Sequence, residues 1–321
     1  MTSAIRVGVI GVGALGEHHA RIYAQLPSAE LVAVVDLRED RARTMAAGFE
    51  TRACTHFEDI LHEVDAVSVA VPTLAHAEIA NACLARGIHT LVEKPIAADL
   101  PSARVMQRTA EENRAILMVG HSERFNPAVE AVRDHVTEPL FYEAHRMSVY
   151  SGRSLDIDVI LDLMIHDLDL VLEFTSSPLK EIRTAGIPIL SSRIDIANAR
   201  LEFENGCVAN LTASRVSNER IRKLRFFQPD DYVSIDLAEQ SAQMYSLVNH
   251  FSGRTIVPRQ LEIGGAEPLA REIEVFLASI RSGATSPLPP AADGQAGIRV
   301  LELAHRLQEE IDQQQARRGP K

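Results

Sequence analysis

The chain has 321 residues, of which 46% are hydrophobic and 24% charged, and this length allows two domains with sizeable cores. Acidic residues outnumber basic ones by 44 to 33, and no basic block interrupts that acidity, so a nucleic acid or an anionic membrane is not an expected partner. No apolar run approaches the ~18–20 residues of a membrane span. Three widely spaced cysteines indicate neither a disulfide framework nor a zinc site. We therefore expect an acidic, cytoplasmic protein without a metal centre.

The first 120 residues alternate short apolar strands with helices. Strands are predicted at 5–10, 31–35, 65–71, 89–92 and 116–119, and helices at 15–26, 41–48, 75–86 and 102–113. Strands separated by helices of about ten residues pair in parallel through right-handed crossovers. Residues 1–121 are therefore predicted to form an α/β domain with a doubly wound parallel sheet.

After residue 120 the strands follow one another without intervening helices. Strands are predicted at 140–149, 181–190, 196–203, 207–216, 223–227 and 232–237, and helices at 127–136, 157–174, 268–281 and 293–314. The pair Asn205-Gly206 between two of these strands is a strong hairpin signal. Consecutive strands indicate antiparallel pairing. Residues 122–321 are therefore predicted to form an α+β domain with an open, mainly antiparallel sheet and helices.

A glycine-rich motif, Gly11-Val-Gly-Ala-Leu-Gly16, follows the first predicted strand and opens the first predicted helix. Its glycines permit a tight turn, the approach of backbone to a pyrophosphate, and close packing of helix on strand. N–H groups at a helix start attract negative charge. Asp36 ends the second strand, where a carboxylate binds ribose hydroxyls and repels a 2′-phosphate. The motif predicts NAD binding, while Arg38, which could pair with a phosphate, keeps NADP open as an alternative.

Two further motifs follow predicted parallel strands, and ligands bind at the carboxyl ends of such strands. Val71-Pro72-Thr73, with His76 close behind it, follows the third strand, and Glu93-Lys94-Pro95 follows the fourth. Judged alone, His76 is an ordinary residue of a helix start and Lys94 a solvated lysine. The position of Lys94 at a strand end, before a rigid proline, favours a functional role.

Residues 157–174 are predicted to form one helix with a broad apolar face and a polar stripe. At 100° per residue, Asp162 and His166 are i,i+4 neighbours within hydrogen-bonding reach. A carboxylate orients an imidazole and raises its basicity, as a proton acceptor requires. A solvated acidic face carrying one histidine is the alternative. Asp167 points into the apolar face, where we expect it to be paired. The polar stripe comprises Asp158, Asp162, His166, Asp169 and Glu173.

Together, the glycine motif, Glu93-Lys94-Pro95 and Asp162-x-x-x-His166 resemble the Gfo/Idh/MocA oxidoreductases. The resemblance covers nearly the whole chain in order and spacing, including the segment Arg124-Phe-Asn-Pro127. It implies an N-terminal Rossmann domain and a C-terminal sheet that commonly mediates dimers or tetramers. It also implies that Lys94 contacts both nicotinamide and the reacting hydroxyl, and that His166 exchanges the hydroxyl proton.

Segments 159–170, 195–216 and 222–229 resemble a narrower group within that family. Its members oxidise the 3-hydroxyl of UDP-N-acetylglucosamine to a ketone in lipid A synthesis, and a partner aminotransferase then aminates the ketone. The chain departs from the wider family at 155–159, where Leu-Asp-Ile-Asp-Val replaces a glycine-rich stretch. The alternatives are oxidation of another UDP-sugar, a free sugar or inositol, and a non-enzymatic NAD-sensing protein.

The predicted site has three overlapping sets of residues and no metal ligand. The catalytic set is Lys94, Asp162 and His166. The substrate set is Lys94, Arg124, Asn126, Tyr150, Arg153, Asp162 and His166. The NAD-binding set is Gly11, Val12, Gly13, Ala14, Leu15, Gly16, Asp36, Leu37, Arg38, Val71, Pro72, Thr73, His76, Glu93 and Lys94.

Overall fold

The computed structural model describes residues 4–150, 157–251 and 253–318. The chain divides into two compact units, each with its own hydrophobic core. Unit 1 comprises Met1–Phe125 and Glu267–Arg299, and unit 2 comprises Asn126–Ala266 and Val300–Lys321. Across the described ranges, no helix is both long and apolar enough to cross a bilayer.

The described part of the chain is built from strands β1–β15 and helices α1–α8. The strands are β1 (Ile5–Ile10), β2 (Ala29–Val35), β3 (Arg52–Cys54), β4 (Ala66–Val69), β5 (His89–Glu93), β6 (Leu117–Gly120), β7 (Phe141–Val149), β8 (Leu179–Ile187), β9 (Ile196–Phe203), β10 (Val208–Ser217), β11 (Ile221–Gln228), β12 (Asp231–Asp236), β13 (Ser241–His250), β14 (Gly253–Arg259) and β15 (Ala292–Asp293). The helices are α1 (Ala14–Gln25), α2 (Glu39–Gly48), α3 (His76–Leu84), α4 (Leu100–Glu112), α5 (Pro127–Arg133), α6 (Ile165–Phe174), α7 (Pro268–Ser282) and α8 (Gly294–Arg318).

Unit 1 contains the predicted doubly wound sheet. Its strand order is β15-β6-β5-β4-β1-β2-β3, and all pairs are parallel except β15 with β6. Five of the six residues of β1 are buried, as expected for a strand covered by helices on both faces. Strand β1 therefore lies in the middle of the sheet, and the turn that follows it lies between the ends of β2 and β4.

One segment departs from the predicted division of the chain at residue 121. Helix α7 belongs to unit 1, although it follows the whole of the second sheet in sequence. Its apolar face places Ile273 and Phe276 in the core of unit 1. At its ends, Glu267 pairs with Arg21 at 2.5 Å and Arg281 donates to the Ser28 carbonyl. Amphipathic spacing predicted this helix correctly but does not say which core receives its apolar face.

Unit 2 contains the predicted, mainly antiparallel sheet, in the order β14-β13-β12-β11-β7-β10-β9-β8. Only β7 and β10 pair in parallel. Side chains alternate across each strand, and the buried face packs with residues of α5, α6 and α8 in one core. Strands β13 and β14 were not predicted, and β14 is an exposed edge strand.

Candidate functional site

The turn after β1 requires two of its three glycines for reasons internal to the protein. Gly11 has φ +86°, and a Cβ there would lie 2.8 Å from the Ala70 carbonyl group. A Cβ on Gly16 would lie 1.8 Å from the Gly11 oxygen, because helix α1 packs directly on the turn. Any larger residue at either position would displace backbone.

The third glycine, Gly13, is not constrained by protein packing. Among the described atoms, a Cβ there would meet only Nη1 of Arg41, at 3.7 Å. No described side chain caps the start of helix α1. The turn therefore leaves open space beside the N–H groups of a helix start, and this arrangement fits the pyrophosphate of a dinucleotide.

Asp36 lies beside this turn as predicted. Its carboxylate accepts from the backbone N–H of Val12 at 3.2 Å and from Nη1 of Arg41 at 3.3 Å. Arg38, the predicted phosphate partner, instead pairs its exposed guanidinium with Asp40 at 2.8 Å. The cation beside the turn is thus Arg41, which sequence reasoning missed; its position in the first turn of α2, one helical turn past Arg38, was the available signal.

Exposed apolar side chains follow the strands on either side of β1. Leu37 after β2 and Leu74 after β4 are both 88% exposed, and Leu15 at the start of α1 is 52% exposed. Val71 and Thr73, which were predicted to bind the cofactor, are half-buried, and Pro72 between them is exposed. Unit 1 therefore presents apolar surface next to its glycine-rich turn.

His76, which the sequence predicts as a cofactor contact, is bonded to two backbone carbonyls of unit 1. Its ring is buried, with Nδ1 2.9 Å from the Pro95 oxygen and Nε2 2.9 Å from the Val71 oxygen. Burial lowers the pKa of His76, although both carbonyls favour the protonated form. Because both ring nitrogens are engaged, His76 links the turn after β4 to the turn that carries Lys94.

Glu93 and Lys94 end strand β5. Lys94 is half-buried, and its backbone N–H donates to Oε2 of Glu93 at 3.3 Å. The other oxygen of Glu93 lies 3.0 Å from Nε2 of the buried His19. Burial alone would raise the pKa of Glu93, but the hydrogen bond and charge of His19, together with the charge of Lys94, hold it below its ordinary value. The Glu93 carboxylate is thus bonded within the protein, and its contact with the cofactor stays a prediction.

Asp162 lies in a π-helical turn, Ile160–Met164, that precedes α6. Here the N–H of Ile165 bonds the carbonyl of Ile160, five residues back. The α-helical wheel used for the sequence is therefore wrong for this turn, since its spacing assumes bonds four residues back. π-Helical turns occur frequently at functional sites. Asp162 and His166 are both half-buried.

Asp158 starts this turn rather than belonging to a polar stripe. Its Oδ1 accepts from the N–H groups of Ile160 and Leu161 at 2.9 and 3.1 Å, and its Oδ2 accepts from Gln308. Further along, Asp169 is buried, so the alternative of a solvated acidic face does not describe this segment.

Asp167 is paired within the core, as the sequence predicted. Asp167 and Arg146 of β7 are both buried. The Arg146 guanidinium donates two hydrogen bonds to the Asp167 carboxylate, from Nη2 at 2.9 Å and from Nε at 3.0 Å. Two parallel N–H···O bonds fix orientation as well as distance. The residue next to His166 is thus anchored to the middle of the sheet of unit 2.

The remaining predicted substrate contacts differ in accessibility. Arg124 is buried and donates to the Pro290 carbonyl at 3.3 Å. Asn126 is buried, caps α5 through Ala128 and donates to the Leu237 carbonyl at 2.9 Å, and its contact with substrate stays a prediction. Tyr150 is 50% exposed. Arg153 lies outside the described residues.

The arrangement in unit 1 is that of a dinucleotide-binding oxidoreductase domain: a glycine-rich turn after the first strand, an acidic residue after the second, and the Glu-Lys-Pro turn at a neighbouring strand end. The family model for "oxidoreductase family, NAD-binding Rossmann fold" (Gfo/Idh/MocA) matches residues 5–121. The chain belongs to the Gfo/Idh/MocA family and is an oxidoreductase. This finding agrees with the resemblance that its motifs carry.

Among individual proteins, the chain is 38% identical over 307 residues to the UDP-N-acetylglucosamine 3-dehydrogenase of Acidithiobacillus ferrooxidans, covering 94% of this chain and 95% of that protein. A solved structure of that enzyme superposes with a TM-score of 0.85 at 37% identity, covering 95% of this chain and 97% of the other. The myo-inositol 2-dehydrogenase of Thermotoga maritima is 25% identical over 97% of this chain and 98% of that protein. Levoglucosan dehydrogenase in complex with NADH and levoglucosan has a TM-score of 0.85 at 17% identity, covering 97% of this chain and 98% of that one, a likeness that concerns the fold alone.

Proposed function

We propose that the chain is an NAD-dependent dehydrogenase that oxidises the 3-hydroxyl of UDP-N-acetylglucosamine. The observation that carries this proposal is the likeness to the A. ferrooxidans enzyme, which extends over 94% of the chain and so includes the sheet domain as well as the common dinucleotide domain. Inositol dehydrogenases share less identity over a comparable length. The nucleotide sugar is therefore the first substrate to test.

The cofactor is held by the turn after β1 in this proposal. The open space at Gly13 and the N–H groups at the start of α1 receive the pyrophosphate. Asp36 accepts bonds from the ribose hydroxyls. Leu37 and Leu74 supply apolar surface for a purine ring. When bound, the nicotinamide supplies the hydride acceptor.

The chain's own residues handle the proton and the charge. His166 accepts the proton of the 3-hydroxyl. Lys94 stabilises the negative charge that develops on that oxygen as the proton leaves. Asp162 orients His166 or binds the sugar, and Tyr150 is available to the substrate. Binding energy from the uridine diphosphate, remote from the reacting carbon, positions the hydroxyl.

The assay combines the protein with UDP-N-acetylglucosamine and NAD and follows NADH by absorbance. Alcohol oxidation releases a proton, so conversion should rise with pH. A purified aminotransferase with an amino donor traps the ketone, and NMR of the trapped amino sugar locates the oxidised carbon. We expect an amino group at C3. An amino group at C4, or turnover with free inositol and none with UDP-sugars, contradicts the substrate assignment but not the oxidoreductase class.

Two partners accompany this function. We propose that an aminotransferase of lipid A synthesis consumes the 3-keto product, and that the chain assembles with copies of itself.

Four rings follow one another across the outer face of the sheet of unit 2, with centroids 6.1, 5.0 and 6.1 Å apart. They belong to Phe141, Phe227, Tyr232 and Tyr245. An aromatic surface of this kind suits a protein interface.

Light scattering of the purified protein tests the self-association. A dimer or tetramer mass is expected for the wild type, and Phe227→Asp should shift the mass toward the 35.3 kDa of one chain. A wild type that stays monomeric at micromolar concentration contradicts this part of the proposal.

A further inference from the structure

A chain of hydrogen bonds crosses unit 1 beneath the Lys94 turn. It begins at Tyr23, whose hydroxyl lies 2.9 Å from Oγ of Ser68. Ser68 Oγ lies 3.1 Å from Nδ1 of His19, and Nε2 of His19 lies 3.0 Å from Oε1 of Glu93. The first three groups are buried and the Glu93 side chain is only 12% exposed. This chain of hydrogen bonds thus joins α1, β4 and β5 and ends next to Lys94.

Hydrogen bonds can join all four groups. Burial raises the pKa of the Tyr23 phenol, so the phenol keeps its proton and can donate to Ser68. The Ser68 hydroxyl has one proton and two lone pairs, so it can accept from Tyr23 and also bond Nδ1 of His19. Nε2–H of His19 donates to the Glu93 carboxylate.

Glu93 is fixed from its other sides as well. Its Oε2 accepts the N–H of Lys94 at 3.3 Å. A Cβ on Gly120 of β6 would lie 3.2 Å from the carboxyl group, so the carboxylate lies directly against that glycine. A carboxylate held in this way restrains the backbone from which the Lys94 side chain extends.

We propose that Glu93 is a positioning residue for Lys94 and that Tyr23, Ser68 and His19 hold its carboxylate in place. The inference rests on the proposed function in one respect, the role of Lys94 at the reacting oxygen. Lysine has a long flexible stem, so where its ammonium group lies depends on the geometry of its backbone. A misplacement of about 1 Å can cost on the order of 100-fold in rate. None of these four residues needs to touch substrate for this effect.

The first experiment compares single variants by turnover and by NAD affinity. Glu93→Gln retains an acceptor for His19 but places an amide N–H₂ against the Lys94 N–H. His19→Leu removes the donor to Glu93, whereas His19→Gln can supply one. We expect kcat to fall on the order of 10–100-fold in Glu93→Gln and His19→Leu, with the Kd of NAD nearly unchanged, and His19→Gln to recover much of the loss. His18→Gln, a change at the exposed neighbour on α1, is the matched control and should behave as wild type.

A double variant separates positioning from general damage. If Glu93 acts through Lys94, Glu93→Gln should cause no further loss of residual turnover in a Lys94→Ala background. A full multiplicative loss there overturns the inference, as does wild-type kcat in Glu93→Gln. Near-normal turnover in Lys94→Ala alone instead contradicts the proposed function, so the two failures are distinguishable.

A second readout does not depend on activity. ¹⁵N NMR of the ring nitrogens of His19, in protein without NAD, should report a proton on Nε2, the nitrogen that faces Glu93. Ser68→Ala should shift the Nδ1 resonance, because that nitrogen loses its hydrogen-bond partner, and His18 should be unaffected. An unprotonated Nε2, or an Nδ1 resonance indifferent to Ser68→Ala, overturns the proposed hydrogen-bond chain.

Discussion

Each of the two residues proposed for the chemistry has a carboxylate beside it in sequence, and the two carboxylates are secured differently. Glu93 precedes Lys94 at the end of a strand and is held by His19 at 3.0 Å. Asp167 follows His166 within a helix and is held by a bidentate bond from Arg146. The first carboxylate lies at the end of a chain of hydrogen bonds, whereas the second belongs to a fully buried ion pair.

The difference follows from what each element leaves undetermined. The position of a strand end is already fixed by its neighbours in the sheet, so one oriented carboxylate suffices for the turn beyond it. A helix can still rotate about its axis, and the π-helical turn before α6 changes the rotation that an α-helix would give. The bidentate hydrogen bond between Asp167 and Arg146 on the central strand β7 fixes that rotation. Buried ion pairs contribute little net stability but can specify geometry, and here the pair holds the residue next to His166 in sequence.

The largest expected effect comes from removing the proposed chemical groups themselves. His166→Ala and Lys94→Ala should each lower kcat by ~10²–10⁴-fold, the range for losing a positioned acid or base. NAD binding should remain largely intact in both. Stopped-flow turnover and fluorescence titration with NAD measure the two quantities. Near-normal activity in either variant removes that residue from the mechanism. The comparison between the Glu93–Lys94 and His166–Asp167 regions would then no longer concern two catalytic residues.

Breaking the buried ion pair comes next. Asp167→Asn leaves the Arg146 guanidinium buried without this carboxylate and should lower the free energy of unfolding by ~3–5 kcal/mol. The double change Arg146→Met, Asp167→Leu should recover most of that stability, since apolar pairs of similar volume replace buried ion pairs well. If the pair orients His166, the double variant stays slow although it is stable. Urea unfolding and kcat are measured on the same samples.

Another ion pair on the same helix provides the control. Glu173 of α6 pairs with Arg133 at 2.7 Å, but both side chains are 24% exposed. Glu173→Gln should cost at most ~1 kcal/mol and leave kcat unchanged. A double Arg146, Asp167 variant with full activity would mean that the buried pair is a stability element only.

The sequence predicts the two regions unequally. Strand β1 has the predicted bounds, and the glycine turn with Asp36 is recognisable because its residue types and their spacing form a motif that lies within one stretch of sequence. The Asp162–His166 spacing was interpreted on an α-helix, whereas the π-helical turn depends on a cap from Asp158, which Gln308 on α8 also contacts. Long-range contacts of this kind have no local signature. The role of His19 is harder to predict, because in the sequence it is only a polar residue on the buried face of α1.

Cofactor preference tests a smaller effect in unit 1. NAD should bind more tightly than NADP, because the Asp36 carboxylate would face a 2′-phosphate. Asp36→Ser should shift the ratio of dissociation constants toward NADP by about tenfold, or ~1.4 kcal/mol, since Arg41 then faces the phosphate alone. Arg41→Gln in that background should reverse the gain. Arg43→Gln, a change at an exposed residue of α2 that pairs with Glu39, is the control. Equal affinities in the wild type mean that Arg41 already outweighs Asp36.

The smallest expected effect is a pH dependence that the hydrogen bonds and charges around Glu93 should produce. The pKa of Glu93 is lowered in the folded protein, so its ionised form binds its surroundings, chiefly His19 and Lys94, better than its protonated form does. The resulting stabilisation is fully present above the unfolded pKa of ~4.3 and is lost as the pH falls through the folded pKa. It amounts to ~1.4 kcal/mol for each unit of separation between the two pKa values.

Glu93→Gln removes this titration while retaining the shape of the side chain. The difference in unfolding free energy between wild type and Glu93→Gln should therefore be constant from pH 7 to pH 5 and shrink below pH ~4.3. Urea unfolding at half-unit pH intervals measures it, with Glu17→Gln on the exposed side of α1 as the matched control. A difference that instead grows as the pH falls from 7 toward ~4.3 means that Glu93 is held as a neutral acid, because only the unfolded chain then takes up a proton. In that case the carboxylate beside Lys94 would carry no charge, and the two regions would differ in ionisation as well as in their partners.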